Sequence, residues 1–239
     1  MKIDAYFTPA GLNAGDLAGR PVVVLDVLRA STTIVTALAH GAKAVVPAAS
    51  SEEAVRLTAN LERNGYLLAG ERRLARIEGF PLGNSPREMT PDVVGGKVVF
   101  LATTNGTPAL VAVQGGDPVL VASAANFTAV ADRARALFGE RGELVVVCAG
   151  REKQFALEDA YTAGRLLRAV RKGNRKVTLN DAALVALDLT ARYKSWQDAF
   201  ARSEAGRALT ELDLGEDVAF AARADRFSVV PLYADKRVT

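Results

Sequence analysis

An α/β fold, a mostly parallel sheet with helices on both faces, is the reading that three features of this 239-residue sequence support. Short apolar runs alternate with helix-like segments at the spacing of βαβ units. Two of the runs, Val22 to Leu25 and Glu143 to Val147, are rich in β-branched residues with hardly a polar interruption, as strands covered on both faces are. Four of the runs end in polar clusters rather than in plain turns.

Taken in order, Lys2 to Phe7 alternates weakly and reads as a first strand, followed by a connection punctuated by Gly11, Gly15 and Gly19. Val22 to Leu25, expected to be central, runs into Asp26 to Thr33, with Ser31 or Thr32 as the cap of a helix from Ile34 to His40 that Gly41 stops. Ala44 to Pro47 is a short strand, and Ser50 with Glu53 spells a capping box for a helix reaching about Asn64. Tyr66 to Ala69 is a strand closing on Gly70-Glu71-Arg72, and Ser85, Pro86 and Glu88 give a short helix its start. Val98 to Leu101 leads through a polar loop, Thr103 to Thr107, into a helix capped by Thr107 and opened by Pro108. Gly106 lets that loop turn tightly and aim backbone N–H groups outward at the positive end of a helix dipole, where an anion would sit well.

Pro118 to Ala122 is a strand and Asn126 to Gly139 a helix; Glu143 to Val147 ends in Cys148-Ala149-Gly150-Arg151, and Leu157-Glu158-Asp159 opens a helix to about Gly173. From Leu179 the pattern is helical: Asn180 to Tyr193, Ser195 to Ala208 and Glu216 to Ala224, with Phe227 to Tyr233 as one strand. No repeat, low-complexity tract or linker interrupts the chain, so a single domain, 1–239, is expected, with extra helices in its C-terminal third.

Composition narrows the function. With 49% hydrophobic and 24% charged residues the chain is an ordinary globular one. Its net charge is only +3 and its 30 basic residues are dispersed, so no nucleic-acid partner is expected. The N-terminus lacks a basic stretch followed by an apolar one, and no run of ~18 apolar residues exists, so no membrane partner is expected and the protein should be cytoplasmic. One cysteine and one histidine leave no cysteine-based zinc cluster, no multi-histidine metal site and little room for a hydrolase triad. Neither GxxxxGK[ST], GxGxxG nor GxSxG occurs. Cys148 stands like a tyrosine-phosphatase nucleophile, but Gln154 occupies the place of the required arginine; Asp26 stands like an aspartyl-phosphate nucleophile, but Leu28 replaces the second aspartate.

Ligands of such sheets bind at the carboxyl ends of the strands. The polar clusters Asp26 to Thr33, Gly70 to Arg72, Thr103 to Thr107 and Cys148 to Arg151 all fall there. They bring together arginines (Arg29, Arg72, Arg151, with Arg87 near), carboxylates (Asp26, Glu71, Glu158, Asp159) and neutral donors. Arginine forks suit phosphate, carboxylate and sulfonate oxygens, and hard carboxylates suit magnesium. A small anionic phosphorylated substrate is the expected partner, because phosphoryl transfer needs little beyond placement and charge neutralisation. Asp26, Arg29, Glu71, Glu158 and Asp159 are the expected catalytic residues, with Asp26, Glu71 and Asp159 as Mg2+ ligands. Arg29, Ser31, Thr32, Asn84, Ser85, Thr104, Asn105, Gly106, Thr107, Cys148, Ala149 and Gly150 are the expected substrate contacts. Plainer roles stand beside these: a salt bridge between Asp26 and Arg29, a helix N-terminus for Glu158 or Asp159, a cap for Ser85, a small buried hydrophobe for Cys148. His40 and Trp196 read as structural.

The motifs DVLRASTTI (Asp26 to Ile34), GER (Gly70 to Arg72), GFPLGNSPRE (Gly79 to Glu88), TTNGT (Thr103 to Thr107), CAG (Cys148 to Gly150) and LED (Leu157 to Asp159) closely resemble, in order, those of the 2-phosphosulfolactate phosphatases of coenzyme M biosynthesis. A weaker likeness runs through Asn126, Asp181, Ser203, Gly206, Asp217 and Val230-Pro231. The resemblance implies a three-layer α/β/α sandwich and magnesium-dependent hydrolysis of (2R)-2-phospho-3-sulfolactate to 3-sulfolactate and phosphate. It leaves a homodimer open. One position departs: the family pattern places aspartate where this chain has Pro81, which would imply a weaker metal site or another substrate if that carboxylate binds metal or orients substrate. The alternatives are therefore a phosphatase for another phosphorylated hydroxy acid, or a phospho-ligand-binding protein of the same fold.

Overall fold

The computed structural model describes residues 1–13, 15–173 and 176–239. The eleven strands among these residues are β1 (Lys2–Tyr6), β2 (Val22–Leu25), β3 (Ala44–Ala48), β4 (Tyr66–Arg72), β5 (Ala75–Arg76), β6 (Val98–Ala102), β7 (Val119–Ala122), β8 (Glu143–Cys148), β9 (Thr178–Leu179), β10 (Leu232–Ala234) and β11 (Arg237–Val238). They form one sheet in the order β5-β4-β6-β3-β11-β10-β7-β2-β8-β1-β9. Two parallel blocks, β4-β6-β3 and β7-β2-β8-β1-β9, are joined by the antiparallel hairpin β10–β11. That hairpin pairs only with Val119 and Leu120 of β7 and with Val45 of β3, so it bridges the blocks near the beginnings of those strands and leaves their carboxyl ends unbridged.

Alternating side chains along the strands feed two cores. On one face Val22 and Val24 of β2 and Val145 and Val147 of β8 pack with α1 (Ala30–Ala39) and α4 (Gly106–Ala112). On the other, Val23, Leu25, Leu144 and Val146 pack with α5 (Phe127–Arg141), α6 (Leu157–Val170) and α7 (Asp181–Arg192). In the smaller block the second face, Phe100 and Ala102 of β6, is covered through Ala54 by α2 (Ser51–Thr58). A period of two in the strands thus yields the α/β/α sandwich, with β2 deep inside it. A short α3 (Pro91–Val94) precedes β6. The C-terminal helices α8 (Trp196–Arg202), α9 (Glu204–Glu211) and α10 (Gly215–Ala221) pack through Phe200, Leu209 and Val218 onto Val27 and Leu28, over the carboxyl edge of β2. No helix among the described residues is long and apolar enough to cross a membrane.

Several local expectations are corrected. Helix α1 starts at Ala30, not Ile34, because Ser31 Oγ accepts the Asp26 N–H (2.8 Å) and Thr32 Oγ1 donates to the Val27 carbonyl (2.8 Å), so neither caps the helix. Thr107 lies inside α4 and exchanges hydrogen bonds with Thr103, and Asn105 is the residue at the cap position. Helix α2 is capped by Ser50 as expected but ends at Thr58, whose hydroxyl turns back on the Ala54 and Val55 carbonyls. The segment Ser195 to Ala208 is two helices, because Ser203 is extended and its Oγ accepts the Gly206 N–H (2.9 Å) to start α9 afresh. The single strand expected over Phe227 to Tyr233 is the later β10–β11 hairpin.

Candidate active site

The four polar clusters meet at the carboxyl edge of the sheet. Asp26 after β2, Glu71 in β4, Thr104 and Asn105 after β6, and Gly150 and Arg151 after β8 border one cavity of about 150 Å³. Glu158 and Asp159, from the first turn of α6, and Ala205 of α9 close it. Each loop is held by specific bonds. Asp159 ties the β2 and β8 ends together, its Oδ1 accepting the Val27 N–H (2.8 Å) and its Oδ2 the Gly150 N–H (3.2 Å). Gly150 stands at φ +68, and a Cβ there would lie 3.0 Å from the Phe7 carbonyl oxygen, so the turn is open to glycine alone. Glu71 braces two loops: Oε1 accepts from the Thr104 N–H (2.6 Å), and Oε2 from the Leu74 N–H (2.8 Å) and the Thr104 hydroxyl (3.1 Å). Asn105 Oδ1 accepts the Glu152 N–H (2.9 Å), fastening the β6 loop to the β8 loop.

Asp26 is less engaged than Glu71 or Asp159. Its Oδ1 accepts one long bond from the Ala30 N–H (3.3 Å), and its Oδ2 faces Gly106, where a Cβ would collide with it and with Ala30. Burial first, and then the charges of Glu71 and Glu158, push its carboxyl up to about 7, despite relief from the Ala30 N–H and Arg29. Burial, then Asp26 and Glu158, drive Asp159 well above the usual carboxylate range. Glu158 is also raised by burial, with Ser203 and Arg151 pulling the other way. Such a concentration of buried acid favours a proton or a cation.

Among the described residues no three carboxylate, thiol or imidazole groups converge as a closed cage around one ion. Magnesium does not require one, since it keeps several waters and takes one or two carboxylates together with phosphate oxygens. The free Oδ2 of Asp26 fits that demand, whereas Glu71 and Asp159 each have both oxygens committed to loop donors. The donor set therefore fits a hydrated hard cation held from one side.

The sequence profile described as 2-phosphosulpholactate phosphatase matches residues 6–236. The chain belongs to this family. A probable 2-phosphosulfolactate phosphatase of Symbiobacterium thermophilum is 40% identical over 226 residues, covering 94% of this chain and 96% of that one. Proteins of the same name from Caldanaerobacter subterraneus subsp. tengcongensis (38% identical, 97% and 95% covered) and Carboxydothermus hydrogenoformans (39% identical, 97% and 92% covered) are similar to it along almost the whole length.

In this member of the family the residues singled out from sequence divide into two sets. Asp26, Glu71, Thr104, Asn105, Gly150, Glu158 and Asp159 border the cavity. Ser31, Thr32, Asn84, Ser85, Gly106 and Thr107 are buried behind it and shape its loops. Arg29 is a correction: it is 4% exposed, with Nη1 paired to Asp217 Oδ2 (2.8 Å) and Nη2 donating to the Leu74 carbonyl (2.9 Å), so it braces the site from behind instead of reaching into it. Cys148 is another, because strand alternation turns its side chain into the core with Leu144 and Val146, and burial with Asp159 and Glu158 pushes its thiol well up. Ala149 borders a neighbouring apolar groove with Pro9, Pro108 and Lys153. Arg72 points away and Arg87 pairs with Glu216.

Arg73, Leu74, Glu152 and Ala205 line the cavity without having been anticipated. Arg73 adjoins the GER motif, and only the turn into β5 shows that it, not Arg72, faces inward. Asp217, which accepts from Arg29 and from Ser85 Oγ (2.6 Å), had only a weak motif likeness to mark it. Pro81 is exposed and outside the cavity wall, so the departure there changes none of the cavity's donors.

Proposed function

We propose that this chain is a magnesium-dependent phosphatase that hydrolyses (2R)-2-phospho-3-sulfolactate to 3-sulfolactate and phosphate, the step expected in coenzyme M biosynthesis. The observation that supports this best is the charge of the cavity: five carboxylates (Asp26, Glu71, Glu152, Glu158, Asp159) face two guanidiniums (Arg73, Arg151). A polyanionic ester would be repelled from such a wall unless a cation accompanied it.

Asp26 would hold magnesium, with the charge of Asp159 beside it adding to the attraction. The bound ion would neutralise charge on the phosphoryl oxygens and make the attacking water more acidic. Arg73 would contact the same oxygens from the mouth, and the bonds of Glu71 and Asp159 to four backbone N–H groups keep the loops from shifting as charge moves. Glu158, raised by burial, retains its proton further toward neutrality than an exposed glutamate. In this reading it hands that proton to the sulfolactate oxygen as the P–O bond breaks.

The test is phosphate release from 2-phospho-3-sulfolactate with magnesium, repeated with EDTA and with Asp26→Asn. Loss of at least a hundredfold in both arms is expected. Turnover indifferent to both would overturn the mechanism, and tight binding without release would favour a phospho-ligand-binding protein.

A further inference from the structure

A second cavity, of about 220 Å³, opens beside the carboxylate cavity and shares Arg151, Glu158 and Ala205 with it. Across that shared wall the balance of charge reverses. The second cavity is bordered by three guanidiniums, Arg151, Arg202 and Arg207, and two carboxylates, Glu158 and Glu204. Arg151 is fixed at its backbone by paired hydrogen bonds with Gln154 (3.0 and 2.8 Å), yet its Nη1 is buried without a hydrogen-bond partner. The carboxylate paired with it, Glu204, is 3.7 Å away, and its side chain is 76% exposed, so water screens it. Arg202 is tied to Asp198 (2.8 Å), whereas Arg207, whose Nη1 donates to the Arg202 carbonyl, has no carboxylate within 4.0 Å among the described residues and keeps its other guanidinium donors. Two guanidiniums that line one small space thus retain donor capacity for an anion.

Size argues the same way. At about 150 Å³ the carboxylate cavity lies below the ~300 Å³ at which small-molecule sites ordinarily begin, whereas the two cavities together exceed it. A three-carbon ester bearing phosphate, carboxylate and sulfonate has charged groups enough to span both. Sulfonate oxygens are weak bases and poor ligands for a hard cation, so this end of the ester gains least in the acidic cavity and most from guanidinium donors.

Resting on the phosphatase reading above, we propose that the second cavity is the sulfonate subsite, with Arg151 at the junction and Arg207 as the outer clamp. It determines specificity and takes no part in the bond cleavage. Glu158, which borders both cavities, then lies where the leaving oxygen of an ester spanning them would be.

The experiment compares kcat/KM for 2-phospho-3-sulfolactate and for 2-phospholactate, which has a methyl group in place of the sulfomethyl group. The wild-type preference for the sulfonated ester should fall at least tenfold in Arg207→Gln and in Arg151→Gln, through KM in the Arg207 variant. Arg151→Lys should restore part of it. A preference ratio within twofold of wild type in both glutamine variants, or a wild type with no preference, overturns the proposal. If wild type hydrolyses neither ester, the phosphatase reading fails, and the subsite is judged by calorimetric titration with 3-sulfolactate against lactate. Tighter binding of 3-sulfolactate that Arg207→Gln abolishes supports it, and equal binding of the two overturns it.

Discussion

Gly106→Ala tests how closely the β6–α4 loop lies on Asp26. A Cβ at 106 would stand 3.2 Å from Asp26 Cγ and closer still to Asp26 Oδ2 and Ala30 Cβ. Restoring ordinary contacts of ~3.5 Å or more requires a shift on the order of 1 Å by the carboxylate or the loop. Ala30 is anchored in α1 and packed in the core, so the yielding partner is the Asp26 carboxylate, whose one hydrogen bond, from the Ala30 N–H, is already 3.3 Å long. Overpacking of this kind costs about 1–3 kcal/mol, and alanine in place of glycine in a helix returns about 1 kcal/mol. The net loss of about 0–2 kcal/mol should lower Tm by no more than several degrees in a chain of this size. Displacing a reacting or metal-holding group by an ångström costs roughly a hundredfold in rate. The expected result is therefore a large fall in phosphate release with a small change in Tm, read by steady-state kinetics and thermal melting. A variant with a rate within threefold of wild type would refute the argument that Asp26 at its present position does the chemistry.

Other expectations follow from the same geometry. Asp26 titrates at 3.8 when unperturbed and at about 7 in the fold, so the folded state holds a proton that the unfolded chain releases. Stability of the metal-free protein should accordingly fall as pH rises from about 4 to about 7, and Asp26→Asn should melt higher than wild type at pH 8, by at most ~4 kcal/mol, but not at pH 4; equal melting at pH 8 would contradict the shift. Glu71→Gln sets an amide donor against donors at Leu74 or Thr104 and should cost ~1–3 kcal/mol, with faster amide exchange at both residues; protection unchanged at both would contradict the bracing role. Asp217→Asn leaves the buried Arg29 without its counter-charge and should cost ~3–5 kcal/mol in denaturant unfolding; a loss under 1 kcal/mol would show that the pair does not matter.

The sheet and the edge on which the site lies were readable from the sequence because both rest on local pattern: unbroken apolar runs at β2, β6 and β8, and polar residues directly after them. What was hidden depends on partners distant in the chain. Arg29 looks like a free cation until Asp217, 188 residues later, is seen to hold it. Cys148 ends its strand with the core-facing parity, which an apolar run without alternation does not disclose. The hairpin turn Asp235-Lys236 has positive φ at both residues, as a tight hairpin needs, but lacks the glycine that usually announces one. The break at Ser203 is a cap inside a sequence whose apolar period continues through it.

A crystal structure with magnesium and 3-sulfolactate would show whether Asp26 is the group that holds the ion. The ion is expected on a carboxylate oxygen of Asp26, with Asp159 nearby and the sulfonate turned toward Arg151 and Arg207. An ion bound away from Asp26, or 3-sulfolactate seated in the apolar groove by Pro108 and Lys153, would contradict this expectation.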